Sequence, residues 1–211
     1  PDVVLMDLNL ESGDLTALLH LRPPHSISDF CRNVARMDES MLESCMVTHP
    51  SGIQVIAAPL AIDQVRDVTP RGLRRLLHMV QSQFAHVVID IGRPFRQEDT
   101  VVLQQADTVV LTLRPDVSSL RNARRAIDFL DQAEVGLEKV RPVVNRYRSS
   151  NAVSLGDIRN ALGMEIAQVI PEDPRRVNAS SDSGVPVLLH KPRCVVSKRI
   201  RGFVNEMSTS I

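Results

Sequence analysis

Polar side chains end several strand-like segments of this sequence, and they are the side chains best placed to do chemistry. Runs of largely apolar residues stop at an acid, an amide, an arginine or a proline; the side chains concerned are Asp7, Asn9, Asp90, Asn145, Arg146 and Pro171. In open α/β sheets, ligands bind at the carboxyl ends of the strands. An acid at that edge, such as Asp90, can hold a magnesium-bound water in a nucleotide site, although an acid there can also only cap the next turn.

The strands that must position these side chains are short apolar runs. They cover residues 3–6, 53–58, 86–89, 108–113, 140–144 and 166–170. Continuous apolar runs that are rich in β-branched residues are typical of strands buried on both faces, as in parallel sheets. The runs therefore predict a parallel sheet.

Helical patterns separate the strands. Thr69-Pro70 is a capping residue followed by proline, and it precedes a stripe of apolar residues at helical spacing. Ser154 with Asp157 forms a variant capping box. Ser26 with Asp29 repeats that pattern, and the irregular residues 21–47 are expected to hold two short helices. The alternation predicts an α/β fold in which a mostly parallel, doubly wound sheet carries helices on both faces, with residues 1–211 as a single domain.

Composition excludes several classes of protein. Apolar residues make up 43% and charged residues 24% of the chain, which excludes a disordered protein. No apolar run approaches the length of about 20 residues that spans a bilayer. Lys+Arg and Asp+Glu are 25 each, so the net charge is zero and bulk electrostatic binding to nucleic acid is not indicated. The arginine clusters on the predicted helices are interpreted as solvated helix faces. Three widely spaced cysteines favour neither a disulfide framework nor a zinc site.

Short motifs in a fixed order carry a family resemblance. They are DLNLESGD (7–14), HPSG (49–52), AAP (57–59), VTP (68–70), PDVSSLRNA (115–123), NRY (145–147) and SLGD (154–157). Together they resemble the ParA/MinD family of deviant-Walker ATPases, a branch of the P-loop NTPases. Within that family the best match is the pilus-assembly branch called CpaE or TadZ. The resemblance runs from Val3 to about Val204.

The resemblance implies roles for the strand-end residues, with ATP and Mg²⁺ as cofactors. Asp7 is similar to the first acid of the family's D-x-D motif, near the attacking water and the magnesium ion. Asp90 looks like the Walker B acid and is the expected metal-site residue. Asn145 and Arg146 resemble the pair beside adenine, and Pro171 opens a loop near the base. An amide can hydrogen-bond adenine, and an arginine plane can stack on it.

Two departures from the family pattern limit what the chain is expected to do. Asn9 replaces the second acid of D-x-D, and an amide cannot act as a carboxylate base; Asp14 lies five residues further on. The sequence also contains no G-x-x-x-x-G-K-[ST] phosphate loop. In the family that loop comes before the D-x-D strand, so the first strand, loop and helix are expected before Pro1. Their loss would leave a gap between the strands that end at Asp90 and Leu113, and ATP binding and hydrolysis by this chain are expected to be weak or absent.

The resemblance implies a nucleotide-switch protein of CpaE/TadZ type that helps to localise and assemble tight-adherence (Flp) pili. We expect a cytoplasmic protein, recruited to a cell pole, that works as a homodimer with pilus-assembly and secretion proteins and without a specific nucleic acid. Residues 195–204 are basic and amphipathic, and a core helix is favoured there over a membrane contact. The alternatives are a chromosome- or plasmid-partitioning ATPase and a catalytically inactive scaffold.

Overall fold

Strands and helices alternate along the chain. The computed structural model describes residues 2–33, 38–93, 95–150 and 153–209. In chain order the elements are β1 (Val3–Leu8), α1 (Asp14–Leu18), α2 (Ile27–Arg32), α3 (Glu39–Cys45), β2 (Met46–Thr48), β3 (Gln54–Ile56), α4 (Pro70–Gln83), β4 (His86–Ile91), α5 (Gln97–Gln105), β5 (Val109–Leu113), α6 (Val117–Gln132), β6 (Val140–Tyr147), α7 (Leu155–Leu162), β7 (Gln168–Pro171), α8 (Pro174–Asp182), α9 (Val187–His190) and α10 (Val195–Thr209). None of these described helices is long and apolar enough to cross a membrane.

The strands form two sheets, which are mostly parallel. The first has the order β2-β3-β1-β4, and the second has the order β5-β6-β7. Only β2 runs antiparallel to its neighbour, β3. The predicted α/β class with mostly parallel strands is confirmed. Within the described residues β4 and β5 do not pair, so the strands form two sheets. The chain separates into two compact units, residues 1–102 (unit 1) and 103–211 (unit 2).

Unit 1 is built on one face of its sheet. Val4 and Met6 of β1 are fully buried there, together with Phe30 of α2 and Leu73 and Leu76 of α4. Helix α4 begins as predicted, because the Thr69 hydroxyl accepts a hydrogen bond from the backbone N–H of Gly72 and Pro70 occupies the first turn. A one-sided core leaves the strand ends free to carry polar loops.

Unit 2 has its own core. Helix α6 packs on β5 and α7, and α10 packs on β7. The predicted capping box of α7 is present, with Ser154 and Asp157 bonding each other's backbone N–H groups. Val196 and Phe203 bury the inner face of α10, as expected for a core helix. Val204 does not share that face, since it is 45% exposed.

Candidate functional site

Two carboxylates lie side by side at the carboxyl end of the unit 1 sheet. Strands β1 and β4 are parallel neighbours, and their register pairs Asp7 with Asp90. Side chains in register on adjacent strands share one face of a sheet. Asp7 is 1% exposed, whereas Asp90 is open to solvent. The structure therefore brings together the two acids that the sequence places at separate strand ends.

The carboxylate of Asp7 holds the loop that follows β1. Its Oδ1 accepts a hydrogen bond from the backbone N–H of Asn9 at 3.0 Å, and its Oδ2 accepts one from that of Leu15 at 3.1 Å. Burial is the main reason that the pKa of Asp7 is raised above its usual value, and the charges of Asp90 and Asp14 add to the increase. The two backbone donors oppose that increase. In this structure Asp7 anchors the start of α1.

Asp90 has the freer carboxylate of the pair. Within the described part of the chain, no group donates a hydrogen bond to its side chain. Partial burial and then the charge of Asp14 raise its pKa. Its oxygens are available to accept a hydrogen bond from a metal-bound water, which is the chemistry expected of it from the sequence.

Asn9 turns its side chain into its own loop. Its Oδ1 accepts a hydrogen bond from the Ser12 hydroxyl at 3.0 Å. Its backbone carbonyl accepts bonds from the N–H groups of Ser12 and Gly13. Gly13 has a φ of +58°, a conformation that favours glycine, and it leads directly into α1. The amide therefore shapes a tight turn.

The second group of predicted residues meets at the carboxyl edge of the unit 2 sheet. Asn145 and Arg146 lie near the end of β6, and Pro171 ends the neighbouring β7, paired with Tyr147 beyond a bulge. Arg146 has a φ of +57°, and the Oδ1 atom of Asn145 accepts a hydrogen bond from its N–H at 2.9 Å. A non-glycine residue in this conformation is uncommon and is found most often at turns and functional sites. Both side chains are exposed.

Sequence reasoning missed two residues beside Asp90. Gly92 lies two positions after the acid, and Arg96 forms an ion pair with Glu11. The spacing of a strand-ending acid and a glycine could have pointed to Gly92, because close backbone approach requires that residue. Arg96 carries no local signal, since its partner belongs to the loop after β1.

The two units each carry residues that suit a different group of a nucleotide ligand, and each unit is considered by itself. The described residues contain no group of three or more His, Cys, Asp or Glu side chains placed to hold a metal ion. Mg²⁺ usually keeps several waters and takes one or two carboxylates together with substrate phosphates, and Asp90 suits that arrangement. The exposed amide of Asn145 and the guanidinium of Arg146 suit a purine base. The phosphates have no glycine-rich loop in the sequence to bind them.

Comparisons with known proteins agree with this fold. No family model matches the chain. It is 23% identical over 193 residues to the uncharacterized ATP-binding protein MJ0547 of Methanocaldococcus jannaschii, an alignment covering 90% of this chain and 70% of the relative. It is 22% identical over 211 residues to the septum site-determining protein MinD of Thermotoga maritima, covering 93% of this chain and 74% of the relative.

Solved structures match over nearly the whole chain. A ParA family ATPase from Chlorobium tepidum superposes with a TM-score of 0.87 at 24% identity, covering 95% of this chain and 85% of that structure. MinD of Pyrococcus horikoshii, complexed with Mg-ADP, superposes with a TM-score of 0.81 at 17% identity, covering 98% and 83%. The fold is that of the ParA/MinD P-loop NTPases. The chain is therefore similar in sequence to an ATP-binding protein and to MinD, and similar in fold to ParA and MinD ATPases.

Proposed function

We propose that this chain is a ParA/MinD-like nucleotide-switch protein of CpaE/TadZ type, which helps to localise and assemble tight-adherence (Flp) pili. The observation that carries the proposal is the in-register pair of Asp7 and Asp90 at the carboxyl edge of a parallel sheet. In this proposal Asp90 accepts a hydrogen bond from a magnesium-bound water, and Asp7 holds the neighbouring loop. The pilus branch rests on the motifs at residues 7–14, 49–52 and 115–123.

A contact with a purine base is proposed for unit 2 taken by itself. In the proposal the Asn145 amide hydrogen-bonds adenine, the Arg146 plane stacks on the ring, and Pro171 begins the loop beside it. The φ of +57° at Arg146 supports this role, because backbone strain at a strand end is often retained where it orients a side chain for a ligand.

Two outer strands of the described sheets carry uncovered apolar side chains. Strand β4 pairs only with β1 among the described strands and leaves Val88 51% exposed. Strand β5 pairs only with β6 in the same set and leaves Val110 42% exposed. Natural proteins usually cover or blunt apolar edge strands. Each of these edges is therefore open to pairing with a further strand.

A second candidate, a scaffold with little or no hydrolysis, is favoured by Asn9. Its Oδ1 is engaged by Ser12, and both oxygens of Asp7 are engaged by backbone N–H groups. The Asn9 amide cannot act as a general base, and the Asp7 carboxylate is 1% exposed and already holds two backbone N–H groups. In this candidate a homodimer and its contacts with pilus-assembly and secretion proteins would do the work without turnover.

The proposed function is tested in cells that lack the gene. The full-length gene product, fused to a fluorescent protein, is expressed as wild type, as Asp90→Asn and as Asp63→Asn; Asp63 is exposed on a short 3-10 helix of unit 1 and serves as the matched control. Wild type and Asp63→Asn should restore polar foci and pili, and Asp90→Asn should not. Equal rescue by Asp90→Asn would favour the scaffold. A defect in division or in DNA segregation, with normal pili, would overturn the CpaE/TadZ proposal.

A further inference from the structure

The loop after β1 and the loop after β4 touch at Gly92, where an added Cβ would press on the Asn9 side chain. A Cβ atom built on Gly92 would lie 2.5 Å from Asn9 Oδ1, 3.1 Å from its Cγ and 3.2 Å from its Cα. A separation of 2.5 Å is well inside carbon–oxygen contact distance, and a Cβ is bonded about 1.5 Å from its Cα. The Asn9 amide therefore packs directly on the backbone of Gly92.

A second contact joins the same two loops. The Arg96 guanidinium forms an ion pair with the Glu11 carboxylate. The backbone N–H of Arg96 donates a 2.7 Å hydrogen bond to Oδ2 of Asp99, which is 2% exposed in the first turn of α5. One end of the ion pair is thereby attached to the buried beginning of a helix.

Each of the two loops is also held by a buried carboxylate. The loop that carries Asn9 and Glu11 is held to β1 by the two backbone bonds to Asp7. Gly92 and Arg96 lie between β4 and α5, and the Arg96 N–H is bonded to Asp99 in the first turn of α5. The segment after Asp90 therefore contacts Asn9 at Gly92 and is held by Asp99 at Arg96.

We infer that Asn9 is a positioning residue for the segment after Asp90, and that residues 9–13 move as one body with Gly92 and Arg96. Two contacts hold this body together: the packing of Asn9 on Gly92 and the ion pair of Glu11 with Arg96. A displacement of the segment after Asp90 is passed to the start of α1 through Asn9, without Asn9 touching the reacting groups. The link to nucleotide rests on the proposed function, whereas the coupling itself is a property of unit 1 alone.

The coupling is tested by hydrogen exchange on the 211-residue chain without nucleotide. Asn9→Ala should increase the opening equilibrium of the amides of residues 92, 93 and 95–98 about tenfold, because the packed amide side chain is lost. Gly92→Ala should increase opening at residues 9–15 to a similar extent, because its new Cβ displaces Asn9. In the double variant the displaced side chain is already gone, so the combined effect should be clearly smaller than the product of the two single effects.

Two matched variants separate this coupling from general loosening. Ser12→Ala removes only the hydrogen bond to Asn9 Oδ1 and should leave the amides of residues 92, 93 and 95–98 unchanged within about twofold. Gly72→Ala also adds a Cβ at a close approach in unit 1, 2.7 Å from Cys31 Sγ, and should not open residues 9–15 selectively. The backbone ¹⁵N chemical shifts of residues 90–93 supply the positioning readout. These shifts should change in Asn9→Ala and stay as in the wild type in Gly72→Ala.

Single effects that simply multiply in the double variant would overturn the inference, as would backbone ¹⁵N chemical shifts of residues 90–93 that do not respond to Asn9→Ala. These readings involve no nucleotide, so they are separate from the proposed function. A coupled pair of loops in a full-length protein that fails to bind Mg-ATP would support the inference and defeat the proposed function. Uncoupled loops in a protein that binds Mg-ATP would do the reverse.

Discussion

Replacing Asp99 by Asn should stabilise unit 1 at neutral pH. Burial, the dominant cause, raises the pKa of Asp99 from 3.8 to about 6, despite the hydrogen bond from the Arg96 N–H. An acid with a raised pKa binds more protons in the folded state, so its contribution to stability is present below pH 4 and is lost as the pH rises through 6. A difference of about two pKa units is worth about 3 kcal/mol. Asn keeps the volume and an acceptor for Arg96 but carries no charge to bury.

The assay is urea unfolding at pH 3.5, 5 and 7.5, read by hydrogen exchange of α4 so that unit 1 is followed specifically. The free energy of unfolding of Asp99→Asn should exceed that of wild type by up to about 3 kcal/mol at pH 7.5, and the difference should vanish near pH 3.5. Asp63→Asn, an exposed change in the same unit, should show no such trend. A difference that stays flat between pH 4 and 6, or a variant that is less stable at pH 7.5, would refute the reasoning.

Three further outcomes are expected. Asp7→Ala leaves the N–H groups of Asn9 and Leu15 without their acceptor and should cost unit 1 about 2 kcal/mol in urea unfolding, so an unchanged midpoint would contradict the anchoring role. Ser154→Ala removes the cap of α7 and should cost about 1 kcal/mol, measured by exchange of α7 amides. A fluorescent ATP analogue titrated into residues 1–211 should show no micromolar, magnesium-dependent binding, because the sequence has no phosphate loop; such binding would count against that account.

Local signals predicted most of the elements. The apolar runs gave six of the strands, because strands buried in parallel sheets are continuous in hydrophobicity. Thr69 and Ser154 mark real helix starts because each hydroxyl satisfies a free backbone N–H. Helix α1 and strand β2 could not be found in this way. Neither has a buried face along its length, and β2 has only three residues, so no periodicity exists to detect.

The sequence predicted which residues belong to the candidate site, but not which of these residues touch each other. Asp7 and Asp90 interrupt apolar runs, which marks them as strand-end residues from sequence alone. The packing of Asn9 on Gly92 and the ion pair of Glu11 with Arg96 arise only because β1 and β4 become neighbours. Pairing between strands that are far apart in the sequence leaves no periodic pattern within either strand. The sequence therefore suggested a catalytic role for Asn9 but gave no sign that Asn9 packs on Gly92.

The central claim is that Asp90 serves a magnesium–nucleotide site in the full-length gene product. Calorimetric titration of ATP into that protein, with and without Mg²⁺, tests this claim most directly when wild type, Asp90→Asn and Asp63→Asn are compared. Wild type and Asp63→Asn should bind ATP with micromolar affinity only when Mg²⁺ is present, and Asp90→Asn should bind at least about tenfold more weakly, a loss of about 1.4 kcal/mol. No binding by the wild type, or equal magnesium-dependent affinity in Asp90→Asn, would contradict the claim.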